Sequence, residues 1–401
     1  MTKHSQGESV TKGLFLKISR GGFARESRDK RELSVARDLG MATLVMTKGQ
    51  RDGTTFSEGW EVLELSTRSL GTASFLVHLN RLASLAVWTQ QARRLRPFII
   101  SGHDLLGLLI AWLSTWFVPK GRRPLLVYDS HEFAIGQVSG WRRWLIRHLE
   151  SFLMRRCVFS IMVNDAIAER VQHIHGLAEK PVVVRNIPPL WVVNEQKCAL
   201  RRADFCRELG VPLDTFLLMY HGGVMPERGV DVSIRAIVGR ESVALVVLGD
   251  GDPEYLGRLR RVTQELGVGD RVLFRDAVPL EVLGEYVGAA DAGMVMLTAT
   301  CENHILALPN KFFENVQSLT PVIASDFPEI GALVRKYDIG VLVDPEDVSQ
   351  VGDAIDRLRS DAALRSRLRE NLETAKADLC WEKEKAGLEV AYSRILRDPH
   401  D

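Results

Sequence analysis

Short apolar runs alternate with helix-length stretches along almost the whole chain, in two separate blocks, and that alternation is what most constrains the fold. The first block opens with the apolar run at 13–19, the Gly21-Gly22 pair, a charged helical stretch at 28–39 and a second apolar run at 42–46. It continues with a helix around 74–95, a strand at 97–101, a helix from Leu105, a strand at 125–129, a helix at 141–156 and a strand at 159–163. Such spacing predicts parallel strands joined by crossover helices. After Arg185-Asn186-Ile187-Pro188-Pro189 and a polar stretch at 195–207 the pattern restarts. It predicts strands at 216–221, 243–248, 272–274, 292–297, 321–324 and 339–343, with helices at 230–238, 253–266, 281–289 and 310–318. Two doubly wound domains joined near 188–197 are the economical solution, with helices at 348–377 and 381–396 closing the chain.

Length agrees, since 401 residues hold two or three domains at roughly 100–200 residues each. A composition 46% hydrophobic and 26% charged excludes a disordered, collagen-like or small disulfide-bonded chain. The formal charge of +1 gives no reason to expect a nucleic-acid partner, yet it hides an asymmetry. Residues 1–190 carry 27 Lys and Arg against 16 Asp and Glu, and the remainder carries 25 against 35. A basic first half suits an anionic acceptor or membrane surface. The five cysteines include no C-x-x-C pair, so neither zinc nor a disulfide framework is expected, and a reducing cytoplasm fits. The N-terminal residues are polar and lack the apolar core of a signal peptide, reading as a frayed leader. The apolar stretch from Leu105 to Val118 falls short of the roughly 20 residues a membrane span needs, so a buried helix is predicted.

In an open parallel sheet ligands bind beyond the carboxyl ends of strands, where glycine turns and helix N-termini offer N–H groups to anions. Gly21-Gly22, Gly222-Gly223 and Gly249-Asp250-Gly251 all follow apolar runs, but none has dinucleotide-fingerprint or P-loop spacing. Asp129-Ser130-His131-Glu132 sets an ionisable cluster at a strand end, either as a helix cap with a satisfied histidine or as a ligand contact. Further on, Asn310 reads as the cap of a helix with Lys311 in its first turn. A cation there opposes the helix dipole unless an anion sits at the N-terminus. Glu314, one turn later, faces the same side, to accept hydrogen bonds from a sugar diol or to pair with Lys311 in solvent. Residues 139–156 interleave Trp141, Trp144, Leu145, Leu149, Phe152 and Leu153 with five arginines. That is the pattern of an interfacial basic helix or of a helix packed on the sheet with a solvated basic side.

Jointly and in this order, Asp129-Ser130-His131-Glu132, Arg185-Asn186-Ile187-Pro188 and Leu308-Pro309-Asn310-Lys311-Phe312-Phe313-Glu314 resemble the D-x-H-E, R-N-x-P and L-P-N-K-x-x-E elements of the retaining glycosyltransferases of family 4. The likeness is to the bacterial members that build cell-surface polysaccharides, and it covers nearly the whole chain. It implies an α/β GT-B fold, two Rossmann-like doubly wound parallel-sheet domains facing a cleft. Residues 1–192 would bind the acceptor, 193–380 the nucleotide-sugar donor, and a C-terminal helix at about 381–401 would fold back on the first domain. The resemblance further implies that Gly21 and Gly22, with Gly222 and Gly223, lie along the donor. His131 would stand beside the donor sugar as a catalytic group, and Arg228, matching the lysine of a K-G element, would neutralise the diphosphate. Lys311 and the backbone of Leu308, Pro309 and Asn310 would complete that site, and Glu314 would hold the ribose.

Two departures stand out. The family's E-x7-E motif meets Leu306 at its first position, which leaves Glu302 as the nearest upstream acid and the candidate for the missing sugar contact. The family's arginine six residues before Gly229 is here Gly223. The resemblance implies front-face attack by the acceptor with retention at the anomeric carbon, a UDP-linked donor, a glycan or lipid-linked acceptor, and no cofactor or metal. It also implies a cytoplasmic protein in peripheral contact with the inner face of an anionic membrane. A non-hydrolysing nucleotide-sugar epimerase and a catalytically weakened sugar-binding homologue are the alternatives.

Overall fold

The structure, a computed structural model, describes residues 12–19, 21, 23, 27–49, 52–66 and 74–398. The chain forms two compact units. The first runs to Val184 and takes in the chain from Lys385; the second is Arg185–Glu384. The expected boundaries were 192/193 and 380/381, and the local reason for the difference lies in the linker motif. Arg185 grips the Glu384 carboxylate with Nε at 3.1 Å and Nη2 at 2.6 Å, Ile187 is fully buried among Leu308, Phe312 and Phe313, and Trp381 N donates to Pro188 O at 2.9 Å.

The first unit holds β1 (Leu14–Ile18), β2 (Ala42–Gly49), β3 (Gly53–Ser57), β4 (Trp60–Ser66), β5 (Ile99–His103), β6 (Leu125–Asp129), β7 (Phe159–Met162) and β8 (Val182–Val183) in one sheet ordered β3-β4-β2-β1-β5-β6-β7-β8. Every pairing is parallel except β3 with β4. That hairpin is missing from the sequence reading because its turn, Glu58-Gly59, has positive φ at both residues (52° and 79°) without the Asn-Gly or Asp-Gly pair that announces such turns. The second unit holds β9 (Phe216–His221), β10 (Val243–Leu248), β11 (Val272–Arg275), β12 (Ala292–Val295), β13 (Val322–Ser325) and β14 (Gly340–Val343), all parallel and ordered β11-β10-β9-β12-β13-β14. All residues of β9 and β10 are buried, as expected for central strands covered on both faces. Strand order reverses between β1 and β5 and again between β9 and β12, and such switch points are where doubly wound sheets open a crevice for ligands.

The helices depart from expectation in several places, among them Pro328–Tyr337, which was not expected. The polar stretch after the linker is a helix, Glu195–Leu209, capped by the Asn194 side chain and stopped by Gly210 in the left-handed region. Asp165–His175 is a helix too, with Asn164 and Gly176 doing the same. The single helix expected at 348–377 breaks at Asp361, whose carboxylate accepts from Leu364 N at 2.8 Å and caps the next segment. The apolar stretch from Leu105 becomes the helix Asp104–Ser114, with Leu108, Ile110 and Ala111 buried, while Trp116 and Phe117 beyond it are exposed.

One residue of β1 breaks the apolar pattern. Lys17 is fully buried, and its ammonium lies 2.6 Å from Asp129 Oδ2, 3.3 Å from Asp29 Oδ1, and against Glu32. Arg28 Nε and Nη2 reach Asp129 Oδ1 at 3.0 and 2.8 Å, and its Nη1 donates to Val184 O at 2.5 Å. Ser101 donates to Glu32 Oε1 at 2.7 Å, and Tyr392, from the last helix (Trp381–Arg397), donates to the same oxygen. Burial opposes the Lys17 charge, but the three carboxylates outweigh it and raise its pKa. Removing one partner from such a set leaves the others charged and unpaired. Lys17→Met is expected to destabilise the first unit by about 3–5 kcal/mol, measurable as a fall in the urea midpoint.

Candidate functional site

In the second unit the residues gather at the carboxyl end of β9. The strand ends at His221, and Gly222 turns with φ 101°, its N–H donating to Leu248 O at 3.0 Å. The neighbouring turn after β10 comes so close that a Cβ on Gly249 would lie 2.0 Å from Gly222 O, which only glycine permits. Tyr220 donates its hydroxyl to Gly223 O at 2.6 Å, and the short turn Pro226–Arg228 follows. Gly229 then begins the helix Val230–Ala236 with φ 71°, and a Cβ there would meet Met296 Cβ at 2.4 Å, so this turn also requires glycine.

The helix Asn310–Gln317 brings Lys311 to this place. Its ammonium sits 3.7 Å from the centroid of the Tyr220 ring, is buried, and has no hydrogen-bond partner. An ideal Cβ on Gly222 would lie 4.0 Å from Lys311 Cε. Burial first, and the nearby Arg228 charge second, push the Lys311 pKa well below the usual lysine range. A buried ammonium without a hydrogen-bond partner, next to a second cation and a glycine turn, is an arrangement completed by an anion. Glu314 Oε2 lies 3.0 Å from His221 Nε2, a partner absent from the sequence reading although its position, the last residue of a strand before a Gly-Gly turn, was a usable signal.

Asn310 is not the cap. The helix starts at Asn310 with Pro309 before it and no side-chain cap, and Asn310 Oδ1 instead accepts from Asn186 Nδ2 at 2.7 Å. That bond joins two of the recognised motifs. The Leu308 side chain belongs to the core, leaving only its backbone to face a ligand. Glu302 opens a short helix, Glu302–Leu306, whose His304 Nδ1 lies 2.7 Å from Oγ1 of Thr300, just before it.

In the first unit the corresponding place is the carboxyl end of β1, β5 and β6. Gly21 O accepts from Thr47 Oγ1 at 2.6 Å, and Gly22 lies outside the described residues. His131 is not part of a helix cap. Its backbone N–H donates to Asp104 Oδ1 at 3.0 Å, and its Nε2 is 3.1 Å from Asp129 Oδ2. Lys17, Arg28, Asp29, Glu32, His103 and Asp104 belong to this cluster and were all missed; a lysine inside the apolar run of β1 was the available sign. Asp29, Glu32 and Asp129 come together closely enough to hold a metal ion, but the Lys17 ammonium already contacts all three. Asp29, His103 and His131 also converge, yet the facing ring nitrogens already engage Asp29 and Asp129. Asp29, common to both sets, keeps its Oδ2 buried without a hydrogen-bond partner.

The turn and helix that hold Lys311 lie within the segment that carries a family likeness. Residues 202–374 match the family model for glycosyl transferases group 1. The two units together are the GT-B fold, shared with the crystal structure of Anabaena HepE in complex with UDP and glucose (TM-score 0.76, 16% identity, covering 95% of this chain and 100% of that one). Sucrose-phosphate synthase from Thermosynechococcus elongatus has the same fold (TM-score 0.75, 18% identity, 96% and 99% covered). By sequence the chain is similar to the D-inositol 3-phosphate glycosyltransferase of Acidothermus cellulolyticus, 26% identical over 254 residues, covering 59% of this chain and 54% of that protein. It is likewise similar to the protein of that name from Mycobacterium tuberculosis, 28% identical over 311 residues, 74% and 62% covered. The chain thus spans about half the length of the first of these relatives. Among the described residues no helix is long and apolar enough to cross a membrane.

His103 makes the first unit sensitive to pH. Burial opposes its charge, but bonds to Asp104 and Asp29 prevail and raise its pKa to about 10. Its contribution to stability is complete below the unfolded value near ~6.5 and disappears as pH rises through about 10. Thermal unfolding followed between pH 7 and pH 10 is expected to show a falling midpoint, and His103→Gln to flatten that slope.

Proposed function

We propose that this chain is a retaining glycosyltransferase that moves a sugar from a UDP-linked donor to a glycan or lipid-linked acceptor, without a metal ion. The observation that carries the reading is the Lys311 ammonium, buried without a hydrogen-bond partner beside Arg228 at the Gly222 turn. The match of this segment to group 1 glycosyl transferases and the UDP held by the structurally similar HepE support uridine diphosphate as the anion.

In the transfer, the bond between the anomeric carbon and the diphosphate breaks as the acceptor hydroxyl attacks from the same face. Its proton passes to the departing phosphate. Negative charge grows on that phosphate, so fixed cations and N–H groups are the main catalytic need. Arg228 and Lys311 supply the cations, while the backbone at Gly222, Gly223 and from Leu308 to Asn310 supplies close approach. Glu314, oriented by His221, takes the ribose hydroxyls. By the resemblance, His131 and Gly21 are assigned to the sugar and the diphosphate, and Glu302 to the contact of the acid absent at Leu306.

UDP-sugars at about a hundredfold above Kd are expected to raise the melting midpoint by about 5–10 °C. Lys311→Ala abolishes that shift and Glu314→Ala abolishes transfer, with the product's anomeric configuration read by NMR. An unchanged shift in Lys311→Ala overturns the site.

A lipid-linked acceptor at an anionic membrane is supported by the helix Gly140–Met154. Its aromatic residues are not packed onto the sheet: Trp141 is 71% and Trp144 63% exposed, and Phe117 nearby in sequence to the preceding helix is 91% exposed. Trp112 stacks edge-on with both Trp116 and Phe152, which continues the apolar patch, and the Arg156 guanidinium lies 3.4 Å over Phe152. Glu150, the acid of this helix, is turned inward to Tyr128 and His175, leaving Arg142, Arg143 and Arg147 on its outer side. Tryptophan with interleaved arginine suits the headgroup layer. Flotation with phosphatidylglycerol vesicles is expected to carry the protein at low salt, and Trp141→Glu with Trp144→Glu to release it. Transfer to inositol 3-phosphate but to no lipid-linked acceptor would overturn this choice of acceptor.

A further inference from the structure

Three lysines are buried among the described residues, Lys17, Lys311 and Lys376. Lys17 is surrounded by acids and Lys311 stands at the Gly222 turn, which leaves Lys376 to be accounted for. It sits in the last turn of the helix Ala362–Asp378 and is 9% exposed. Its ammonium has no hydrogen-bond or ion-pair partner among the described residues. Burial lowers its pKa, and the charge of Glu373 on the same helix opposes that only in part. A buried cation of this kind costs free energy until a negative group meets it.

The Lys376 side chain lines a cavity of about 1110 Å³ within the second unit, as large as those that take up whole small molecules. Residues 190–193, the helix Glu195–Leu209, the ends of the helices Leu280–Val287 and Asn310–Gln317, and the helix Ala362–Asp378 enclose it. Asp291 and Leu319 on its wall precede β12 and β13, so it lies at the amino ends of these strands. Lys311 and the Gly222 turn stand at the carboxyl end of β9, so the two places are distinct.

The inner wall is built on Gln317, which is fully buried. Its Oε1 accepts from Trp191 N–H at 3.0 Å, and its Nε2 donates to Lys376 O at 3.1 Å and Leu379 O at 2.8 Å. One side chain thus holds the backbones of Trp191 and Lys376 together. The Trp191 ring packs on Gly284, where a Cβ would lie 3.0 Å from it.

Charge in the cavity sets what it accepts. Arg202 is already engaged, with Asp291 Oδ2 at 3.0 Å and the carbonyl oxygens of Leu213, Thr215 and Ala289. Arg369 also lines the cavity, has no partner among the described residues, and lies seven positions before Lys376, on the same helix face. Glu195, Glu370 and Glu373 line it too, and all three are exposed. A phosphate or diphosphate carrying several charges meets these carboxylates, whereas one negative charge can be placed at Lys376.

We infer that this cavity is a second ligand site, for a small monocarboxylate with an apolar body whose carboxylate pairs with the Lys376 ammonium. Arg369 adds a second cation on the same face, and Trp191, Val193 and Leu319 receive the body. Nothing in this site depends on the chain being a transferase.

The test is isothermal titration calorimetry of the full chain with octanoate and with 1-naphthoate at pH 7.5, with and without saturating UDP. At least one of the two carboxylates is expected to bind, equally well with UDP present. Lys376→Met is expected to weaken it by about tenfold or more, the loss of one charge-assisted contact, and Lys376→Arg to retain it. Without ligand Lys376→Met is expected to melt no lower than the wild type, because an unpaired buried cation has been removed. Displacement by UDP, or unchanged affinity in Lys376→Met, overturns the site. 1-Octanol bound as tightly as octanoate reduces the cavity to an apolar cleft and likewise overturns it, and tighter binding of octyl phosphate overturns the choice of a single charge. Failure of both carboxylates to bind overturns it outright. A chain that takes a carboxylate through Lys376 and binds no UDP sustains this site and overturns the donor site instead.

Discussion

The first unit is organised around a lysine ammonium in the middle of its sheet. Lys17 lies on β1, the strand at the switch point, and no water reaches it. A buried charge survives only where opposite charges and hydrogen bonds surround it, so the neighbouring elements must each deliver an acid to one point. The helix after β1 brings Asp29 and Glu32, β6 brings Asp129, and the last helix brings the Tyr392 hydroxyl to cover Glu32. Tyr392 is also wedged edge-on between Phe15 and Phe159. The same pairings that hold the unit together thus orient the histidines at the carboxyl ends of β5 and β6.

The second unit takes the opposite approach. Its central strands are apolar except for Tyr220 and His221 at the end of β9, and its buried lysine has no hydrogen-bond partner: Lys311 lies in the field of Arg228, opposed more weakly by Glu314. The cost of holding a lysine this way is offset by the apolar packing of Phe312 and Phe313 on the same helix. One unit therefore satisfies its buried cation internally, and the other leaves its buried lysine without a hydrogen-bond partner.

Much of the fold was legible because doubly wound sheets write themselves in period and order: apolar strands of four to six residues, helices between them, glycine turns after them. Where local signals were weak, the reading failed for identifiable reasons. Glu58-Gly59 makes a hairpin turn without its usual residue pair, and the helix Glu195–Leu209 is too polar to show a core-facing stripe. Asp361 interrupts a helical pattern that continues on both sides of it. Of the site, Lys311, Arg228 and Glu314 were reached through motif likeness, and the structure gathers them with His221 and Tyr220. His103, Asp104, Asp29 and Lys17 were not reached, since they come from three separated segments and none carries a motif.

By itself, then, the amino-acid order determined the two-block α/β architecture, the glycine turns that let backbone approach backbone, and the identity of the residues at strand ends, because these follow from local sterics and hydrophobic period. Only the tertiary structure decided how charge is distributed among them. Whether a lysine is neutralised, as Lys17 is, or left unpaired, as Lys311 is, depends on groups over a hundred positions apart for Lys17 and Asp129. Electrostatic energy depends on distance and burial in space, and neither is written in the order of the residues.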